Sequence, residues 1–494
     1  MRHALRAVSM LGASSVLVAL ASVIRYKTIA SMLGSSGMGT IGLMIASTTL
    51  AATLFGLGLG TSGVRAISAS SDDPLAIRTR TRVLLWASAG LAIVAFACTT
   101  LLAGIQQFSG LDDPPWSFRL AMGATVASTV FNAGQLAFLN GRGRLGVMAL
   151  TNCLGAVAGT GITVAGLQLF GYAGLAVAIV GVPLATAILT NVFVAREYAA
   201  LPARSEADMR GPSSWVEFLH MVRLGVVVTA AMAVGATSQL IVRFVVKDDL
   251  GINAVGYYQG AFAVSSIYLA FLLGALAADY FPRLARLNGD KVRMNQCVNE
   301  QIVITLTIGV PVIAWAMVLA PLGLRLLYTS EFADASDLLR WQLAGDVLKL
   351  PGWALGFLLL ATNRSRAFMA TEIGNSAILV ALVVSLTNLW GLEGVGVASV
   401  GGYSVYLVMC LMVARRVTGF VPSPECVRTF VLAVMTIGAI LASIFVPGDE
   451  LEWLPGVLAA LLTAGALWGI ARQVRKPSGV PSSDAQDLQR GVQS

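Results

Sequence analysis

Four residues of the segment WQLAGDVLKLPGW, at 341–353, could act on a ligand together: Gln342, Asp346, Lys349 and Trp353. Their spacings of four, three and four residues stack them on one face of a helix. That face offers an amide, a carboxylate, an ammonium and a large aromatic ring. Such a set can hydrogen-bond hydroxyls, hold a phosphate and lie flat against a sugar ring. Pro351 lacks a backbone donor and predicts a kink beside them. The alternative is an Asp346–Lys349 ion pair that only locks helix packing, and spacing alone leaves both readings open.

Four cations stand out against their surroundings. Arg25 and Lys27 interrupt one apolar run, and Arg243 and Lys247 interrupt another. A charge at the centre of a membrane helix costs about 2.5–3.5 kcal/mol on insertion scales, so it usually faces water or a partner. Arg25 and Arg243 also match in an internal repeat, which predicts cations from two halves facing one shared cavity and attracting an anion. Long basic side chains can instead snorkel to the interface, which stays open for Arg25, Lys27 and Lys247.

Catalytic and metal-binding patterns are missing from the chain. His3 and His220 are its only histidines, and neither has triad or ligand partners in sequence. Gly58-Leu59-Gly60-Thr61-Ser62-Gly63 has the spacing of a dinucleotide loop but follows no strand, and no Gly-Lys-Ser/Thr phosphate loop occurs. Cys98, Cys153, Cys297, Cys410 and Cys426 form no Cys-x-x-Cys pair. The expectation is a non-enzyme with no cofactor and no metal.

The elements that must position these residues follow from composition. Apolar residues make up 56% of the chain and charged ones 12%, half the roughly 25% charged of a soluble domain. The net charge of +8 does not point to nucleic acid, because the basic residues occupy short loops rather than a stripe. Apolar runs of about 20 residues, the length of a bilayer crossing, predict fourteen helices. They fall near 7–33, 38–63, 83–105, 118–139, 145–168, 173–195, 216–246, 255–279, 299–327, 338–361, 367–389, 393–414, 427–446 and 454–471. Arg2 and Arg6 before Ala19-Leu20-Ala21 imitate a cleaved signal, but the run continues past Arg25 to Leu33, as a retained first helix would.

Alternate loops differ in charge. Arg78, Arg80, Arg82, Arg142, Arg144, Arg283, Arg286, Arg364, Arg366, Arg415 and Lys476 fall on one side, and Asp112, Asp113, Asp248, Asp249, Glu331, Asp334, Asp449 and Glu450 on the other. The positive-inside rule then places both termini in the cytoplasm. Most of these arginines need no role beyond that rule; contact of some with a diphosphate is the lesser alternative.

Residues 23–66 and 241–284 align, with Arg25 on Arg243, Gly34 on Gly251, Gly39 on Gly256 and Arg65 on Arg283. NGRGRLGVM at 140–148 matches TNRSRAFMA at 362–370, and GYAGLAVAIV at 171–180 matches GLEGVGVASV at 391–400. Six helices per repeat make the copies parallel, with a site expected between them. The expected fold is therefore an all-α polytopic membrane protein. Its six-helix lobes span 1–200 and 210–420, followed by an extra helix pair at 421–475 and a disordered cytoplasmic tail at 477–494.

The segments AVGYYQGAFAVSSIYLAFLLGALAADYFPRLARL at 254–287 and LLYTSEFADASDLLRWQLAGDVLKLPGWALGFLLLA at 326–361 resemble the Wzx-type flippases, the common-antigen and O-antigen translocase group. Lys27 seven residues before Gly34, and GVRAISASSDDP at 63–74, are similar to the same group. The resemblance implies a member of the multidrug/oligosaccharidyl-lipid/polysaccharide exporter superfamily in the bacterial inner membrane. Its substrate would be undecaprenyl-diphosphate-linked oligosaccharide, moved from the cytoplasmic to the periplasmic leaflet by alternating access. Membrane lipids, a polysaccharide polymerase and a chain-length regulator would be its further partners. Twelve helices are usual in that group, and the extra pair is similar to the lipid II flippases of peptidoglycan synthesis. A lipid II flippase and a drug/cation antiporter of the same superfamily are the alternatives.

Charge alternation sets a topology that reporter fusions can check. Fusions after Lys476 or within 196–215 are expected to report cytoplasm, and fusions beside Asp112 or Asp449 periplasm. A periplasmic C-terminus would mean an odd number of crossings and would put the extra pair in question.

Overall fold

The computed structural model describes residues 2–70, 73–202, 214–287, 289–362, 364–445 and 453–475. The expected tail at 477–494 and the acidic loop holding Asp449 and Glu450 lie outside the described residues. Among those described, every regular element is helical. In hydrocarbon each backbone N–H and C=O must be satisfied within its own segment, and a helix does that.

Among the described residues, nine helical stretches are long and apolar enough to cross a membrane. Three of them, Ser14–Gly56, Leu145–Ala199 and Arg366–Thr418, hold 43, 55 and 53 residues and divide into two crossings each. Trp116–Gly141 and Leu454–Arg475, 26 and 22 residues long, are not among those nine and bring the helices of crossing length to fourteen. We number the membrane-length helices α1 (2–33), α2 (35–56), α3 (Pro74–Leu102), α4 (Trp116–Gly141), α5 (Leu145–Phe170), α6 (Gly174–Ala199) and α7 (Ser214–Leu250). The rest are α8 (Ile252–Arg286), α9 (Lys291–Val318), α10 (Ser336–Ala361), α11 (365–390), α12 (392–418), α13 (Pro424–Phe445) and α14 (Leu454–Arg475).

Several loops expected from the sequence shrink to one residue. The chain turns from α1 to α2 at Gly34 (φ 63°) and from α11 to α12 at Gly391 (φ 58°). Their repeat partners Gly251 (φ 88°) and Gly171 (φ 54°) share the left-handed backbone that only glycine adopts cheaply. The repeat thus extends from residue type to conformation. The helix expected over 38–63 breaks at Leu57 and Gly58 and resumes as Leu59–Ser68. A Cβ on Gly58 would lie 2.5 Å from Gly225 O, so α7 crosses at the break. The expected 299–327 helix likewise divides into α9 and a short helix, Ala320–Leu327.

Within the first half α3, α4, α5 and α6 pack on one another, and within the second α8, α9, α10, α11 and α12 do so. The halves meet most closely where α2 crosses α8. A Cβ on Gly39 would fall 2.1 Å from Ile252 O, and one on Gly256 would fall 1.9 Å from Ser35 O. Helices α13 and α14 pack on α9.

Bulk at that crossing has nowhere to go. Gly39→Val and Gly256→Val are each expected to destabilise the protein by about 1–3 kcal/mol or more, as overpacking does. Gly90→Ala, where nothing lies within 4 Å, should be neutral or slightly stabilising. Thermal unfolding in detergent reads all three; equal melting would mean that α2 and α8 are not in contact.

Candidate functional site

Two groups of polar side chains face cavities, one between the first half and α7 and the other within the second half. The larger cavity, of about 460 Å³, is walled by α1, α2, α4, α6 and α7. Among the described residues Arg25 is the one charged residue on its wall, and its guanidinium stands 5.1 Å from the centre of the Tyr26 ring. The rest of the wall is Tyr26, Met232, aliphatic side chains, glycine and a band of threonines.

The smaller cavity, of about 130 Å³, lies among α7, α8, α10, α11 and α12. Gln342, Asp346 and Lys349 line it, and Lys349 with Trp353 lines an adjoining opening beside α8. The helical stripe read from sequence therefore faces open space along its length. Asp346 is 2% exposed and accepts from Ser265 Oγ at 2.6 Å and Tyr268 Oη at 2.7 Å. Lys349 Nζ stands 5.1 Å from the centre of the Tyr403 ring. Among the described residues no Asp346–Lys349 contact falls within ion-pair distance, so the packing ion pair is not formed. The Gln342 Oε1 is buried and without a hydrogen-bond partner. Trp353 packs its ring against Tyr280 and Phe357.

The other three cations are engaged away from the larger cavity. Arg243 is 3% exposed, and its guanidinium donates to Gln259 Oε1 at 2.8 and 3.2 Å and to Gln239 O and Oε1 at 2.8 and 3.1 Å. The Tyr258 and Phe262 rings cover it, each 5.1 Å away. Lys27 Nζ donates to Leu326 O at 2.7 Å, and Lys247 Nζ lies 3.5 Å from Asp112 Oδ1. Arg25 and Arg243 are repeat partners, yet they do not share one cavity. Amide oxygens and aromatic faces satisfy Arg243, and no comparable amide pair holds Arg25.

Lys27 belongs to a set of contacts around Gly34. Ser35 Oγ donates to Glu331 Oε1 at 2.5 Å, and Tyr257 Oη reaches the same oxygen at 3.4 Å. Tyr328 Oη donates to Gly260 O at 3.1 Å. Burial pushes the Tyr328 phenol above its usual range, which keeps that donor protonated. The segment between α9 and α10 thereby ties both halves together at this end.

Sequence reasoning passed over Glu372 on α11, which accepts from Tyr406 Oη at 2.8 Å. An acidic residue inside an apolar helix is the same signal that marked Asp346. Ser265, Tyr268, Gln239, Gln259 and Tyr403 carry no such signal, because each is an ordinary polar residue until its neighbours are known.

Residues 28–337 match the family model described as "Polysaccharide biosynthesis protein". Over 162 residues, 32% of this chain, the sequence is 28% identical to the lipid III flippases of Escherichia coli and Shigella flexneri. The aligned part spans 38% of each of those relatives. An inward-facing multidrug resistance MATE family transporter of the MOP superfamily superposes with a TM-score of 0.67 at 18% identity, over 87% of this chain and 96% of its own. A lipid II flippase in an inward closed conformation gives 0.69 at 13% identity, over 94% and 99%. At such identities the likeness establishes the fold, an all-α polytopic membrane fold.

The donors around Asp346 make a direct test of this geometry. Ser265→Ala and Tyr268→Phe each take one hydrogen bond from a buried carboxylate and are expected to cost about 1.5–3 kcal/mol. Unfolding in detergent measures the loss. Unchanged melting in both variants would mean that Asp346 is held by other groups.

Proposed function

The chain belongs to the family of polysaccharide biosynthesis proteins, and we propose that it is a flippase for undecaprenyl-diphosphate-linked oligosaccharide. The head group crosses from the cytoplasmic to the periplasmic leaflet of the bacterial inner membrane while the lipid tail stays in the bilayer. The observation that carries the reading is the cavity of about 460 Å³ inside a membrane fold, with a single cation on its wall. Its volume lies within the roughly 300–1,000 Å³ of sites that enclose small ligands. Arg25 attracts the phosphate-bearing part of the head group. Gln342, Asp346, Lys349 and Trp353 serve the second half, where the polar cavity and its opening meet the saccharide as the halves rock.

Arg243, Lys27 and Lys247 hold architecture rather than ligand in this reading. Contacts at the Gly34 end close one side, and alternating access requires them to part when the head group leaves. Topology by loop charge makes that end periplasmic. The lipid III flippase matches support a lipid-linked saccharide over other cargo. A cation antiporter would want carboxylates facing its substrate, and none lines the larger cavity.

Purified protein in vesicles with labelled undecaprenyl-diphosphate oligosaccharide tests the proposal. Head groups are expected to become accessible in the opposite leaflet, and Arg25→Ala should slow this about tenfold or more, the effect of roughly 1.4 kcal/mol. Transfer equal to that of empty vesicles would refute a flippase.

A further inference from the structure

Among the described residues seven threonines line the larger cavity, and six of them already have acceptors for their protons. On α2, Thr48 Oγ1 donates to Met44 O at 2.7 Å, Thr49 Oγ1 to Ile45 O at 2.7 Å and Thr53 Oγ1 to Thr49 O at 2.8 Å. On α4, Thr125 Oγ1 donates to Ala121 O and Thr129 Oγ1 to Thr125 O, both at 2.8 Å. On α7, Thr229 Oγ1 donates to Gly225 O at 3.1 Å. Each bond runs to the carbonyl four residues back in the same helix, a local partner always within reach.

A hydroxyl has one proton and two lone pairs. With the proton committed to the helix, each threonine has only acceptor capacity left. Three helices thus supply lone pairs to one cavity whose single charged residue is Arg25. Turning a hydroxyl toward a ligand would break its helix bond, so a ligand that needs donors gains little.

We propose that this wall is an acceptor-lined subsite for the uncharged, donor-rich part of a saccharide. Sugar hydroxyls and amide N–H groups donate to the threonine oxygens. Carboxylate, sulfate or further phosphate oxygens would face these lone pairs over most of the wall, with donors confined to Arg25, Tyr26 and Thr61. The inference rests on the flippase reading and adds the chemistry of the cargo: sugars rich in free hydroxyl or amide donors, with anionic groups confined to one end.

The test uses lipid-linked saccharide extracted from cells that lack this protein, native or with its hydroxyls methylated, and vesicles holding wild type or a triple variant. Wild type is expected to move the native form about tenfold faster or more than the methylated form. Thr49→Val/Thr53→Val/Thr129→Val, which keeps side-chain shape but removes the oxygens, should abolish that preference. Thr49→Ser/Thr53→Ser/Thr129→Ser should keep it, and melting temperatures check that both variants fold. If the valine triple does not fold, the wild-type and serine-triple preferences decide. Equal movement of both forms by wild type would overturn the acceptor wall and leave the flippase standing. So would a preference retained in a folded valine triple. Movement of neither form, or no accumulation of lipid-linked saccharide in those cells, would remove the flippase and the inference with it.

Discussion

Lipid supplies no hydrogen bonds, and most of this structure follows from that constraint. The backbone answers it with helices and, between several of them, with turns of a single residue. Gly34 and Gly391 reverse the chain in a single residue each, and only a residue without a Cβ turns this way at little cost. Side chains answer in the same way. Threonines return their protons to their own helices, Arg243 gathers amide oxygens, and Asp346 gathers two hydroxyls.

Self-satisfaction of this kind determines what a cavity can recognise. Where a group is fully engaged by protein it has little left for a ligand, as with Arg243 behind Gln239 and Gln259. Where one valence remains, the wall has a definite polarity. Arg25 has an aromatic neighbour and a cavity before it. The two repeat-related arginines thus diverge because the second half places glutamines beside its copy.

Much of the fold was legible in sequence. Helix positions, the repeat and the glycines at 34 and 251 follow from apolar periodicity and from residues with a single conformational use. The stripe Gln342, Asp346, Lys349, Trp353 was legible because helical spacing fixes direction. Partners were not. Asp346 meets Ser265 and Tyr268 across 81 and 78 residues of chain, and no local pattern encodes such a distance. Lys27 had two sequence readings, ligand contact or snorkelling, and its contact with Leu326 O is neither. The threonine band was invisible for another reason. In an apolar helix threonine reads as a neutral filler, and only the cavity beside it gives its oxygens a direction.

The two halves are unequal in a way that suits a carrier. A ligand bound to charges on both walls would be held across the interface and would resist their separation. Here the first half, with α7 of the second, makes a roomy wall of weak acceptors with one cation. The second has a small cavity with a carboxylate and an ammonium that do not pair with each other. On the proposed flippase reading, weak, replaceable hydrogen bonds to many hydroxyls would let a head group be held without being trapped, since each exchanges readily with water when the cavity opens. Lys247–Asp112 and Glu331 with Ser35 are contacts within the protein, away from the larger cavity. On the proposed flippase reading they hold one end closed, and the contacts to cargo stay weak enough for release.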